Sequence, residues 1–231
     1  MKKHGFTLAE LLVTLGIIGV VSALVIPTFI TNASEKTVGP KLLKAYNTFQ
    51  NASAAMVDDL DVNNDLAMAS GVITSQNTFF TNLGHYMRGS YSSSEGQFTG
   101  NDGVTYWLTT NTFDTSVAQF PHEVDLLTVG SSSKAALLGI DINGVSEPNG
   151  VGKDRFYFHL MHDGSLRPYG GTYDSPRIWT KVCPDGATPT DSMDMAACTA
   201  HIINNNGKVG YNLSGMKTKS LGDALPVTPV Y

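Results

Sequence analysis

The sequence predicts an α+β fold in which one long N-terminal helix packs on an antiparallel β-sheet. Three observations lead there. Residues 6–26 form an apolar run, Leu42, Tyr46, Phe49, Ser53 and Met56 recur at three- and four-residue steps, and the period shortens after Val104, where Asp163-Gly164 and Asn206-Gly207 supply turn signals.

The apolar run is long enough to matter on its own. About 20 apolar residues at a rise of 1.5 Å cross a hydrocarbon core of ~30 Å. Within 6–26 only Thr7, Glu10, Thr14 and Ser22 break the apolar character, and Pro27 closes the run. Lys2 and Lys3 precede it with no comparable basic cluster directly after, so the bias toward cytoplasmic positive charge places the N terminus inside and the residues after Pro27 outside. A secretory signal cleaved near Val21-Ser22-Ala23 and a plain single-pass anchor are the competing readings. Neither gives Glu10 a task, although a carboxylate within an apolar span is expensive and marks function.

The string Lys2-Lys3-His4-Gly5-Phe6-Thr7-Leu8-Ala9-Glu10-Leu11-Leu12-Val13 resembles the processing motif of type IV prepilins and type II secretion pseudopilins. The resemblance implies a membrane aspartyl protease, prepilin peptidase, that cuts between Gly5 and Phe6. It further implies N-methylation of Phe6 at the head of a mature chain of 226 residues, 231 less the five of the leader. In that family the residue matching Glu10 meets the new amine of a neighbouring subunit. The charges suit each other, because a first-turn carboxylate is favoured by the helix dipole and an adjacent ammonium removes the cost of an unpaired charge. The implied partners are prepilin peptidase, other pilin or pseudopilin subunits and the inner-membrane assembly platform. The implied location is the bacterial inner membrane, then a periplasmic or cell-surface filament. The organisation becomes a leader at 1–5, a transmembrane and filament-core helix at 6–30, and an extracytoplasmic pilin-like α+β domain at 31–231. Gly16 and Gly19 permit close helix approach.

The remaining elements follow from local signals. The stripe from Leu42 onward reads as an amphipathic helix lying on a sheet. Gly39-Pro40 predicts a kink or short break, since proline lacks the amide proton and clashes with the preceding turn. The acidic stretch 58–65 is similar to a calcium loop but lacks the glycine and late glutamate of the EF-hand template, so it reads as a solvated helix end. Phe79, Phe80, Leu83 and Tyr86 predict a second helix, and the Ser- and Gly-rich stretch 89–103 a surface loop. Strands are predicted at 104–110, 135–142, 155–161, 165–169, 178–182, 200–203 and 208–212, with Asp163-Gly164 and Asn206-Gly207 each closing a hairpin.

Composition limits the functions. The chain of 231 residues and 24.7 kDa holds one ordinary domain and an appendage, or two small domains. Charged residues are 15% and hydrophobic residues 42%, which suits a β-rich secreted domain better than a charged cytosolic helical one. A net charge of −5 argues against non-specific nucleic-acid binding. Cys183 and Cys198 are the only cysteines. An even count in an oxidising compartment favours a disulfide, whose ~15-residue loop contributes about 3 kcal/mol in the chain-entropy model. It would match the C-terminal disulfide loop of many pilins; buried free thiols are the alternative.

The stretch 141–154 gathers oxygen ligands and flexible residues in one connection, with Asp141, Asn143 and Asp154 as candidate calcium ligands. It bears a loose similarity to the calcium loop of major type II pseudopilins; an Asx-rich connecting loop is the competing reading. His159 and His162, three apart on a predicted strand, point to opposite faces. No nucleophile elbow or phosphate loop is present, so the sequence reads as no enzyme. A minor pilin that binds DNA, a surface or cargo, and a membrane-anchored domain that never polymerises, are the alternatives to a structural subunit.

Overall fold

The two helical stretches of the sequence form a single helix, α1 (Leu8–Asp59). The computed structural model describes residues 7–60, 76–108, 134–144, 146, 149–161, 163–171, 177–213 and 215–216, and the chain separates into two units, Met1–Thr37 and Val38–Tyr231. In the first unit the only described element is the early part of α1. Its apolar side chains from Leu8 to Leu24 are exposed by 52–79%.

In the second unit α1 turns one stripe inward: Val38, Leu42, Ala45, Phe49, Ala52 and Met56 are buried. Their alternating four- and three-residue spacing keeps them on one side of a 3.6-residue turn. Gly39-Pro40 does not break the helix, contrary to the sequence expectation. Proline removes one helical hydrogen bond, a cost of about 3 kcal/mol or more, but burial of Leu42 and Phe49 beside it returns roughly 1.5–3 kcal/mol for each side chain. Gly39 contributes by position. A Cβ there would lie 1.6 Å from the Gly207 carbonyl oxygen, so the chain passes at backbone contact. The helix likewise continues through Pro27.

Helix α2 (Gln76–Leu83) buries Phe79, Phe80 and Leu83. Six strands follow: β1 (Gly89–Ser92), β2 (Gln97–Gly100), β3 (Thr105–Leu108), β4 (Lys134–Asp141), β5 (Arg155–Met161) and β6 (Leu166–Pro168). They pair antiparallel in sequence order. Registers Tyr91↔Phe98, Phe98↔Tyr106, Tyr106↔Ile140 and Ile140↔Phe156 line up one apolar row across five strands. Phe49 of α1 packs on that row through Tyr106, with ring centroids 5.5 Å apart. Tyr46 stacks on Phe158 at 5.4 Å. On the opposite face Trp107 covers Gly139, where an added Cβ would approach the indole to 2.2 Å.

Strand β6 is an edge, which explains how it accommodates Pro168. Its outward backbone groups are capped by α1: Leu166 N–H donates to Gln50 Oε1 at 2.6 Å, and the Tyr46 hydroxyl donates to the Leu166 carbonyl at 3.5 Å. An edge covered in this way cannot recruit another strand. The β5–β6 hairpin closes at Asp163-Gly164 as the sequence indicates, with Gly164 at φ +76° and Met161 N–H donating to the Ser165 carbonyl at 2.8 Å.

The C-terminal third departs from expectation. Residues 179–182 and 200–203 are helical, in α3 (Trp179–Val182) and α4 (Ser192–Asn204), and 208–212 form no strand. Asn206-Gly207 closes no hairpin but ends α4. Asn206 sits at φ +53°, Gly207 N–H donates to the Ile202 carbonyl at 2.8 Å and Asn206 N–H to the Ile203 carbonyl at 3.3 Å. This is a Schellman cap, which demands the same positive φ as a hairpin turn. The stretch 89–103, read as a loop, contains the β1–β2 hairpin.

Candidate functional site at the N-terminal helix

Helix α1 begins with a reciprocal cap. Thr7 is the N-cap and Glu10 lies three residues on. Thr7 N–H and Thr7 Oγ1–H donate to Glu10 Oε2 at 2.8 and 2.9 Å, and Glu10 N–H donates back to Thr7 Oγ1 at 3.3 Å. The arrangement is a capping box, and Thr7-Leu8-Ala9-Glu10 spells it in the sequence. Two consequences follow. The orphan amides at the helix start gain acceptors, and one carboxylate oxygen is held at a fixed place in the first turn before any second chain arrives. Gly5 and Phe6 lie outside the described residues.

Around Glu10 and on to Leu24, large apolar side chains are distributed around the helix. Leu8, Leu11, Leu12, Val13, Leu15, Ile17, Ile18, Val20, Val21 and Leu24 are all exposed, and at 3.6 residues per turn they leave no polar face. A helix of this kind belongs inside protein or lipid. Gly16 and Gly19 have nothing within 4 Å of where a Cβ would stand, so their small size serves no contact among the described residues. Among the described residues no helix is long and apolar enough to cross a membrane.

The other predicted site residues sit in the second unit. Cys183 and Cys198 are joined, 15 residues apart, with Cα atoms 5.4 Å apart. The bond ties the end of α3 to the middle of α4. Helix α4 starts at Asp191, whose carboxylate accepts from Met193 N–H at 3.0 Å and Asp194 N–H at 3.4 Å. Arg177 bridges Asp191 and Asp194 at 2.6 and 2.5 Å. Burial opposes the ionisation of Asp191, but the Arg177 guanidinium and these amides hold its carboxyl below the usual range.

Asp141, Asn143 and Asp154 are brought together at the ends of β4 and β5, but the carboxylates are engaged by protein groups. Asp141 Oδ2 accepts from Arg155 Nε at 3.0 Å, and its Oδ1 from Asn143 N–H at 3.1 Å. Asp154 accepts from Asn149 N–H at 2.7 Å and Gly150 N–H at 2.6 Å. Arg155 also donates to Asn149 Oδ1 at 3.0 Å and lies over the Trp107 ring. Burial, with Asp154 nearby, raises the Asp141 carboxyl above its usual range despite Arg155. Among the described residues no three His, Cys, Asp or Glu side chains gather in a way that would hold a metal. His159 is buried in β5, and His162 lies outside the described residues.

No curated protein and no solved structure matches the chain. Residues 1–26 match the family model for the prokaryotic N-terminal methylation motif. That is the segment which carries the basic leader, Gly5, Phe6 and the Thr7–Glu10 cap, and with it this chain bears the signature of the prepilin-type precursors of type IV pilins and pseudopilins.

Proposed function

We propose that this protein is a structural subunit of a type IV pilus or type II secretion pseudopilus, cut after Gly5 by prepilin peptidase, methylated at Phe6 and assembled through α1. One observation carries the reading: a carboxylate fixed by its own cap stands at the head of a helix whose apolar surface from Leu8 to Leu24 is exposed in the single chain. Such a surface partitions into hydrocarbon, each large side chain contributing roughly 1.5–3 kcal/mol. Residues 6–30 then anchor the subunit in the inner membrane with Lys2 and Lys3 on the cytoplasmic side. The same surface packs against neighbouring subunits once the assembly platform extracts it, with Glu10 accepting the Phe6 amine of a neighbour. The chemistry is assembly, not catalysis.

The test separates processing from assembly. Gly5→Leu should leave the leader in place, seen as unchanged migration on a gel; processing to the mature size would place the cut elsewhere. Glu10→Val should be processed normally but fail to enter filaments beside wild-type subunits. Normal incorporation of Glu10→Val would refute the pairing role of Glu10, and absence of the wild type from filaments would favour the non-polymerising anchor. A minor pilin that binds DNA, a surface or cargo would instead appear in filaments at low copy. Calcium at Asp141, Asn143 and Asp154 is a separate proposal, in which the metal takes the place that Arg155 now holds on Asp141.

A further inference from the structure

His201 is buried at the end of α4, and its two ring nitrogens are assigned by their partners. Nδ1 lies 2.8 Å from the Cys183 carbonyl, which only accepts, and Nε2 lies 3.1 Å from Gly210 N–H, which only donates. The ring is therefore the neutral, Nδ1-protonated tautomer. Trp179 and Tyr211 enclose it edge-to-face, with centroids at 5.1 and 5.5 Å. This one side chain thus joins the disulfide end of α3, helix α4 and the segment after it. That segment is also held by burial of Tyr211 and Leu213 in the core and by backbone bonds. Gly186 N–H donates to the Gly210 carbonyl at 2.7 Å, Asn212 N–H to the Ala187 carbonyl at 2.8 Å, and the Tyr211 hydroxyl to the Gly152 carbonyl at 2.6 Å.

A second acceptor waits beside Nε2. Asp185 Oδ1 is 3.5 Å away on a side chain that is 72% exposed. Gly210 separates the two groups so tightly that a Cβ on it would lie 1.7 Å from Asp185 Oδ1 and 2.8 Å from His201 Nε2. The charged and titratable groups facing the imidazole are Asp185 from the α3–α4 connection, and Lys208 and Tyr211 from the C-terminal segment. Helix α3 offers only the Trp179 ring and the Cys183 carbonyl.

We propose that His201 is an acid-sensitive latch on the C-terminal segment: protonation of Nε2 breaks its bond to the Gly210 amide, turns the imidazolium to the Asp185 carboxylate, and loosens residues 208–213. Neutral, Nε2 accepts from Gly210 and the segment is closed. Charged, both nitrogens donate, the Gly210 amide faces a like partner, and only Asp185 satisfies the new N–H. Burial disfavours the charged ring, with Lys208 adding to it, while the Cys183 carbonyl and Asp185 oppose. The closed state therefore holds at neutral pH and yields under acid.

Hydrogen exchange of the full chain in detergent micelles tests this. After correction for intrinsic rates, peptides spanning 208–213 should exchange faster at pH 5.0 than at pH 7.5, because the closed state binds the proton on Nε2 less readily than the open one. In His201→Gln, whose amide oxygen accepts from Gly210 and does not titrate, the difference should vanish. Equal protection of the wild type at both pH values, or a difference that survives in His201→Gln, overturns the proposal. If that variant does not fold, Asp185→Asn decides. Removing the acceptor of the charged ring should move the opening midpoint to lower pH, and an unmoved midpoint overturns the latch.

Discussion

Gly39 and Gly207 meet backbone to backbone, with the Gly207 carbonyl oxygen 1.6 Å from where a Gly39 Cβ would stand. Neither partner can yield cheaply. Gly207 belongs to the Schellman cap of α4, and its own Cβ would press on Leu43 Cδ1 at 2.7 Å. Gly39→Ala should therefore cost about 2–3 kcal/mol, as overpacking does, and lower the melting temperature by roughly 5–10 °C in a chain of this size. Gly16→Ala, with open space around it, should leave the melting temperature unchanged or slightly raised and show its effect only in filament yield. Circular dichroism melts of the two variants check the contrast.

Thr7→Val removes a hydroxyl that donates to Glu10 and accepts from its amide. An N-cap of this kind contributes ~1 kcal/mol to the start of a helix. The variant should be cut normally after Gly5 yet incorporate less efficiently than wild type, and Thr7→Ser should restore incorporation. Equal incorporation of Thr7→Val and wild type in a mixed-expression assay would show that the cap does not position Glu10.

Asp191→Ala removes the N-cap of α4 and one end of the Arg177 bridge. A loss of about 1–2 kcal/mol is expected from the cap. The pH dependence has a definite sign. The folded pKa of Asp191 lies below its unfolded value near 3.8, so the unfolded chain binds more protons there, and the contribution is complete above about pH 4 and lost as pH falls further. The gap in stability between wild type and Asp191→Ala should accordingly close in acid. Urea titrations at pH 7 and pH 3 measure it.

Calcium at Asp141, as proposed, must displace Arg155. The ion pair and the amides around Asp154 already satisfy these carboxylates, so a calcium titration that leaves the melting temperature unchanged would rule the metal out. A rise that Asp141→Asn abolishes would instead favour the metal, with Asp141, Asn143 and Asp154 as ligands. Arg155→Gln sharpens the comparison, because it frees Asp141 Oδ2 without touching the proposed ligand set.

What could be read from the residues divides by the kind of signal. Strand β5 was legible to the residue, because Arg155-Phe156-Tyr157-Phe158-His159-Leu160-Met161 is an apolar, aromatic run bounded by turns. Helix α4 was read partly as strand because its Ala200-His201-Ile202-Ile203 end is short, apolar and β-branched, a pattern common to both states. The N-cap signal at Asp191, nine residues upstream of Ala200, is what distinguishes them. Asn206-Gly207 declared a positive φ without declaring which motif needed it. The β1–β2 hairpin was hidden because Ser90, Ser92 and Gln97 carry little apolar alternation, although Tyr91 and Phe98 pair directly. At the N terminus Glu10 was legible as an anomaly in an apolar run, whereas Thr7 looked like a minor interruption until the reciprocal hydrogen bonds gave it a role. The His201 cluster has no linear signal, since Cys183, His201 and Gly210 come together only when α3, α4 and the segment after them are folded.

The sequential order of the six strands bears on how the molecule reaches this state. Among the described residues each strand pairs with its neighbours in the chain, so these strands need no crossover and can form one pairing at a time, with loop-closure entropy growing only as the logarithm of loop length. The contacts that wait longest are those that span the chain. One is Leu166 finding Gln50 across 116 residues; another is Thr199 taking the Tyr157 amide across 42. Until Gln50 and Tyr46 dock on Leu166, the outer side of β6 is open there, and that strand is a place where two incompletely folded copies would pair by mistake.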